Sequence, residues 1–315
     1  MKFANVWSLI LLLFVSSQII GGAFTATDSA ALQKTRVDGP GAYGPPAQIA
    51  VLKDKSVNES SGIAASRRFQ GVYWTHNDSG GAPLIYAFDR RGGSKGVWRV
   101  SGSTARDWED IAAGPGPSAA KSYLYIGDIG DNQEKRLEIV VYRVPEPEIN
   151  AKGLSKGKPA ATDQSEAIRL RYPDGSHDAE SLLVHPRTGS IYIVTKIAFA
   201  YPGIYEAPGP VKAGPPITLK RVGTLQVPSL LGGIITGGAI SPDGQRVAFC
   251  DYIQGYEAVL ERANSSFDTI WKRPLTSISI GSRKQGEAIT YRIDGKALLM
   301  TSEGSPMPLF QVERR

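Results

Sequence analysis

Three glutamates and one serine fall at the same place in a short segment that recurs five times along the chain. The copies read E-S-S-G-I-A from Glu59, D-W-E-D-I-A from Asp107, D-A-E-S-L-L from Asp178, T-G-G-A-I-S from Thr236 and Q-G-E-A-I-T from Gln285. Aligned on the apolar pair, the shared position holds Ser61, Glu109, Glu180, Gly238 and Glu287, at spacings of 48, 71, 58 and 49 residues. Carboxylates gathered in a narrow, poorly hydrated space repel one another and take up protons unless a cation intervenes. A hard divalent cation such as Ca²⁺ accepts roughly six to eight oxygens from carboxylates, hydroxyls, carbonyls and water. Ser61, Glu109, Glu180 and Glu287 are therefore candidate metal ligands, for Ca²⁺ first and Mg²⁺ second. A second reading stands beside it, in which the glutamates pair with Arg106, Arg283 or Lys284, or line a wet channel without metal.

Other polar residues follow the second apolar run of each repeat. H-N-D-S-G (His76 to Gly80) and G-D-I-G-D-N (Gly127 to Asn132) contribute Asp78 and Asp128, and later repeats contribute Lys196 and Glu303. In a hydrolytic reaction Asp78, Asp128 or Glu303 would act as base and Lys196 would stabilise developing negative charge. Both motifs also read, and more simply, as tight turns whose Asp and Asn side chains cap their own backbone. G-D-I-G-D-N lacks the glycine and distal glutamate of an EF-hand loop. Gly92 to Gly96 matches G-x-S-x-G but precedes a strand, not a helix. No H-E-x-x-H, P-loop or dinucleotide fingerprint occurs, and His76, His177 and His185 are not spaced as a zinc set.

The elements that would position these residues are short strands in sets. Each set has up to four runs rich in β-branched and aromatic residues, separated by Gly, Pro or Asp. The fourth set, for example, reads Gly238 to Ser241, Arg246 to Tyr252, Glu257 to Glu261 and Thr269 to Arg273. The fifth has only three runs, and Gln48 to Leu52 is left over to complete it. The result is an all-β fold, a five-bladed β-propeller of four-stranded blades closed by the N-terminal strand. Six blades is the alternative, but it would need another blade in the Pro-, Lys- and Gly-rich insertion from Pro145 to Asp163. Innermost strands line a central channel, which would bring the aligned acids to one mouth.

The 315 residues include 35 Gly and 21 Pro, enough for one large β domain with many turns. Residues 1–23 combine Lys2, an apolar run from Val6 to Val15 and Gly21-Gly22-Ala23, the pattern of a cleaved secretory signal. That run is short for a membrane span, so no stable span is expected after its removal. Residues 24–46 read as a flexible linker and 47–315 as a single propeller domain. Cys250 is the only cysteine, which excludes an internal disulfide framework. Together these point to a secreted or periplasmic monomer. The net charge is +6, but the basic residues are scattered without interleaved aromatics, which argues against nucleic acid.

Through D-W-E-D-I-A, Y-I-G-D-I-G-D-N, Y-P-D-G-S-H-D-A-E-S-L-L and Q-G-E-A-I, the chain resembles a largely uncharacterised group of exported bacterial β-propeller proteins. More distantly it is similar to phytase-like esterase and gluconolactonase-type propellers. Its Ser and Glu ring is also similar to that of the calcium-activated nucleotidases, five-bladed propellers with Ca²⁺ in the channel. The last resemblance implies Ser61, Glu109, Glu180 and Glu287 as ligands, with Gly238 departing from the pattern. The expectation is an exported propeller that binds an axial Ca²⁺ and a small polar or anionic ligand on its acidic face. The alternative is a metal-dependent hydrolase acting on a phosphoester or lactone at that face.

Overall fold

Runs such as Val72–Asn77 and Ile191–Thr195 are buried along almost their whole length, as strands sandwiched between neighbouring sheets must be. In the computed structural model, residues 42–78, 80–149, 155–229, 232–262 and 265–315 are described. The proposed signal, and the linker as far as residue 41, lie outside the described residues. Five of the six sheets, each of four or five strands, stand around a central channel as a five-bladed β-propeller. Blade 1 is Ser60–Ala65, Val72–Asn77, Leu84–Asp89 and Ser94–Ser101. Blade 2 is Trp108–Gly114, Tyr123–Asp128, Ile139–Pro145 and Glu166–Arg171. Blade 3 is Ala179–Val184, Ile191–Thr195, Gly203–Ala207 and Lys220–Thr224. Blade 4 is Gly237–Ile240, Arg246–Cys250, Gly255–Val259 and Thr276–Ile278. Blade 5 is Gly286–Tyr291, Ala297–Ser302 and Pro308–Glu313, completed by Ala47–Val51 pairing antiparallel to the last of these. Joining the two ends of the chain in one blade leaves no open seam.

Two expectations are corrected. Thr269 to Arg273 is not a strand: Phe267–Lys272 is a 3₁₀-helix that buries Ile270 and Trp271. The apolar spacing places both between blades 3 and 4, where Trp271 packs against Tyr192. Thr276–Ile278 takes the outer place instead. The insertion after Pro145 is not wholly irregular either, since Ala160–Gln164 pairs parallel to the outer strand of blade 1. Ordered structure also begins before Ala47. Gly44 N–H donates to the Glu313 carbonyl at 2.8 Å, and the Tyr43 hydroxyl to buried Glu257 at 2.6 Å.

Each pair of adjacent blades encloses its own apolar layer. Between blades 1 and 2 lie Trp74, Trp98, Trp108 and Leu124, with the first two rings edge to face at 5.1 Å. Near the axis the inner strands approach too closely for side chains. A Cβ on Gly62 would stand 2.6 Å from the Ile111 nitrogen, and one on Gly237 2.6 Å from the Glu287 carbonyl oxygen. Small residues here let five sheets converge on a single hub.

Candidate functional site: an acidic channel mouth

The inner strands of four blades are irregular at one place each. The pairing register shifts between Ser60 and Gly62, between Trp108 and Asp110, between Ala179 and Ser181, and between Gly286 and Ala288. The residues inside those shifts are Ser61, Glu109, Glu180 and Glu287. An extra residue in one strand of a pair turns its side chain away from the sheet alternation. Blade 4 pairs without a shift there, from Gly237 opposite Cys250 to Ile240 opposite Val247, and Gly238 brings no side chain.

The loops around this mouth repeat one hydrogen bond. The residue after the second strand donates its N–H to the residue before the first strand: Asp78 to Glu59 (2.8 Å), Ile129 to Asp107 (3.1 Å), Lys196 to Asp178 (2.9 Å) and Glu303 to Gln285 (2.9 Å). Asp78, Lys196 and Glu303 are thus equivalent, and blade 2 has Ile129 at that point. Asp128 stands one residue earlier and is drawn into the protein. Its carboxylate is paired with the buried Arg136 guanidinium at 2.8 Å and accepts the Arg106 N–H at 3.2 Å. Arg136 also donates to the Gly130 carbonyl, and its N–H to Asp131, so G-D-I-G-D-N is a braced turn.

In Asp128's stead, Asp107 supplies the mouth with an acid from blade 2. Asp78, Asp107 and Glu109 each place a carboxylate oxygen within 4.8 Å of the others, and this triad could hold a metal ion. Gly130 backs it so closely that a Cβ would overlap the oxygens of Glu109 and Asp107. Across the mouth, Lys196 donates through Nζ to Glu180 Oε1, and to the Tyr252 hydroxyl at 2.9 Å. Glu180 is 7% exposed, and its Oε2 is buried without a hydrogen-bond partner. Gln285 donates to Glu287 at 2.9 Å. The Ser61 hydroxyl donates to the Glu109 carbonyl at 2.6 Å, fixing the shifted segment of blade 2 against blade 1.

Burial and mutual repulsion hold protons on this cluster. Burial, then Glu180 and Asp78, push Glu109 well above the usual carboxylate range. Burial raises Asp107 to about 6, with Asp78 and Asp178 adding to it. Glu180 rises to about 7 through burial, against the pull of Lys196. Burial and the Glu180 charge raise Glu287 to about 9. Glu303 is raised as well, by burial and by Asp78. Burial opposes the charge on Lys196, but Glu180 and Tyr252 raise its pKa overall, so it stays an ammonium. One carboxylate below the mouth is used differently. Asp110 is fully buried and accepts N–H groups from Ile111 (2.8 Å), Leu182 (3.0 Å) and Gly238 (3.4 Å), which ties the inner strands of blades 2, 3 and 4 together.

Glu109, Glu180 and Glu287 therefore influence one another at a single mouth, with Asp78, Lys196 and Glu303 around them. Asp107, Tyr252 and Gln285 complete it. Asp107 carries a signal in the sequence, since it occupies the same repeat position as Glu59, Asp178 and Gln285. Tyr252 carries none, because its contact with Lys196 spans 56 residues.

Among the described residues no helix is long and apolar enough to cross a membrane. No family profile and no curated protein matches the chain. One similar solved structure is the nidogen–laminin complex, at 13% identity and a TM-score of 0.44, over 78% of this chain and 73% of that one.

Proposed function

We propose that this is an exported propeller whose acidic mouth binds one divalent cation, Ca²⁺, and through it a small polar ligand. The observation that carries the reading is the triad of carboxylate oxygens within 4.8 Å of one another, with the buried charge of Glu180, whose Oε2 accepts no hydrogen bond, acting on Glu109. Oxygen-only donors suit a hard cation, and a set drawn from separate blades suits the irregular shell of Ca²⁺ better than the tight octahedron of Mg²⁺. Asp78, Asp107 and Glu109 would form the primary set and Glu180 would close it. Ser61 holds the Glu109 backbone, and Glu287 balances charge from the far side. The signal pattern of residues 1–23 supports export. Calorimetric titration of chelator-treated protein with CaCl₂ tests the cation: one site is expected, lost in Asp107→Asn. Absence of binding heat together with an unchanged melting curve would sink the proposal.

The hydrolase reading has one observation in its favour, an ammonium group held next to the carboxylates by Glu180 and Tyr252. In it the cation would polarise a phosphoester or lactone oxygen, Lys196 would meet the developing anion, and Asp78 or Glu303 would take the proton. Asp128 does not serve as that base, because Arg136 and the Arg106 N–H occupy its carboxylate. Ca²⁺-dependent turnover of generic phosphoester or lactone substrates, abolished in a folded Lys196→Met variant, would select this reading over binding alone.

A further inference from the structure

Six large hydrophobic side chains stand exposed among the described residues, and five of them lie on one group of loops: Leu137, Ile197, Phe199, Tyr201 and Ile253, with Val51 apart on an outer strand. The five follow the second strands of blades 2, 3 and 4, on the side of the disc that carries the acidic mouth. Their exposure is large, 84% for Leu137, 79% for Phe199, 69% for Ile253 and 64% for Tyr201. Apolar groups collected in this way mark a surface for a partner. The contact of Lys196 with Tyr252 joins the blade 3 and blade 4 loops, so Ile197 and Ile253 each directly follow a member of one polar clamp.

The crest is built, not merely left over. Ile197–Ala198 pairs with Gly232–Gly233 as a separate two-stranded ribbon that belongs to no blade. It holds Phe199 at φ 57°, a left-handed conformation that bulky residues rarely adopt and that costs stability. Gly232 allows the two segments to lie this close: a Cβ there would stand 2.8 Å from the Phe199 Cα. The exposed Phe199 ring is thus presented from a backbone conformation that costs stability.

We infer that this face docks an extended segment of a partner protein in which a Lys or Arg is flanked by aliphatic or aromatic side chains. The flanking groups would cover Phe199, Tyr201 and Ile253, and the basic group would meet the rim acids Asp178 and Glu303. Charge complementarity decides the partner class, since the same acids repel the anionic headgroups of a lipid surface. The crest lies outside the Asp78–Asp107–Glu109 triad, so the inference stands apart from the cation proposal.

The test is selection of a phage-displayed random peptide library on the full-length protein in chelator, followed by titration of the synthesised winners. Enriched peptides should carry a basic residue between apolar ones. Affinity should fall at least about tenfold when that residue becomes Gln, and equally on a Phe199→Ser, Tyr201→Ser, Ile253→Ser triple variant. All three side chains are exposed, and a melting curve checks that the variant folds; Leu137→Ser with Tyr201→Ser is the fallback. Winners without the basic–apolar pattern, or equal binding by the variant, overturn the inference. So does a selection that yields no peptide, whether or not the protein sediments with phosphatidylserine vesicles in Ca²⁺, the result that would identify a membrane surface in its place.

Discussion

Raising the pH of the cation-free protein should weaken it, and Glu287 should account for about one proton's share of the loss. A carboxyl whose folded-state pKa lies above its unfolded value stabilises the fold fully below the unfolded value and loses that contribution as pH rises through the folded one. Glu287 moves from 4.5 to about 9 on folding, so its loss extends across neutral pH. Glu180, at about 7, completes its loss earlier. The window from about pH 6.5 to about pH 8.5 lies above most of the opposite effect of His76 and His185, both lowered, whereas Glu109 and Asp110, both pushed well above the usual carboxylate range, add to the same slope. One retained proton is worth ~1.4 kcal/mol per pH unit, or ~2.7 kcal/mol over that window, which is ~5–10 °C in Tm for a domain of this size. The assay is urea unfolding of chelator-treated protein at both pH values, repeated on Glu287→Gln and in millimolar CaCl₂. Glutamine mimics the protonated acid, so the variant should be more stable at the higher pH and lose about one proton's share of the slope, the rest staying with Glu109 and Asp110. Ca²⁺ replaces the retained protons and should flatten it too. Equal stability of the cation-free protein at both pH values, or an undiminished slope in Glu287→Gln, would refute the electrostatic account of the mouth.

Saturation with Ca²⁺ at a hundred times its dissociation constant should stabilise the protein by ~2.7 kcal/mol, read as a Tm rise that chelation reverses. Gly130→Ala should push Glu109 and Asp107 apart, lowering Ca²⁺ affinity at least about tenfold in calorimetry while costing under ~1.5 kcal/mol in urea unfolding, because the displaced atoms end flexible side chains. Asp110→Ala should cost ~3–5 kcal/mol by leaving three buried N–H groups without an acceptor, and Asp110→Asn clearly less; equal losses would mean that the hydrogen bonds are not what Asp110 supplies. Tyr43→Phe should cost ~1–2 kcal/mol in the same assay, since Glu257 then loses one of the two hydroxyl donors it has among the described residues, keeping Tyr291 and the more distant Arg246.

The blades were legible in the chain itself. Strand signals are local: β-branched runs broken by Pro, Asp and Gly set where each strand starts and stops, and the surplus run near Ala47 found its place because the fifth set lacked one. The repeat position of Ser61, Glu109, Glu180 and Glu287 was legible for the same reason, as a short pattern recurring at blade-length intervals. Thr269 to Arg273 misled because a β-branched and aromatic run suits a strand and a buried 3₁₀ turn alike, and only the cavity between blades 3 and 4 chooses. Where each acid points was a matter for the tertiary structure. The register shifts that turn four inner-strand residues, and the single-residue offset that hands Asp128 to Arg136 and leaves Asp107 at the mouth, depend on pairing between strands. Tyr252 reaches Lys196, and Glu180 burdens Glu109, only because five separate sheets meet at one axis. Sequence fixes strands through short-range propensity, whereas charge, burial and side-chain direction are set by neighbours dozens of residues away that come together only when the ring closes.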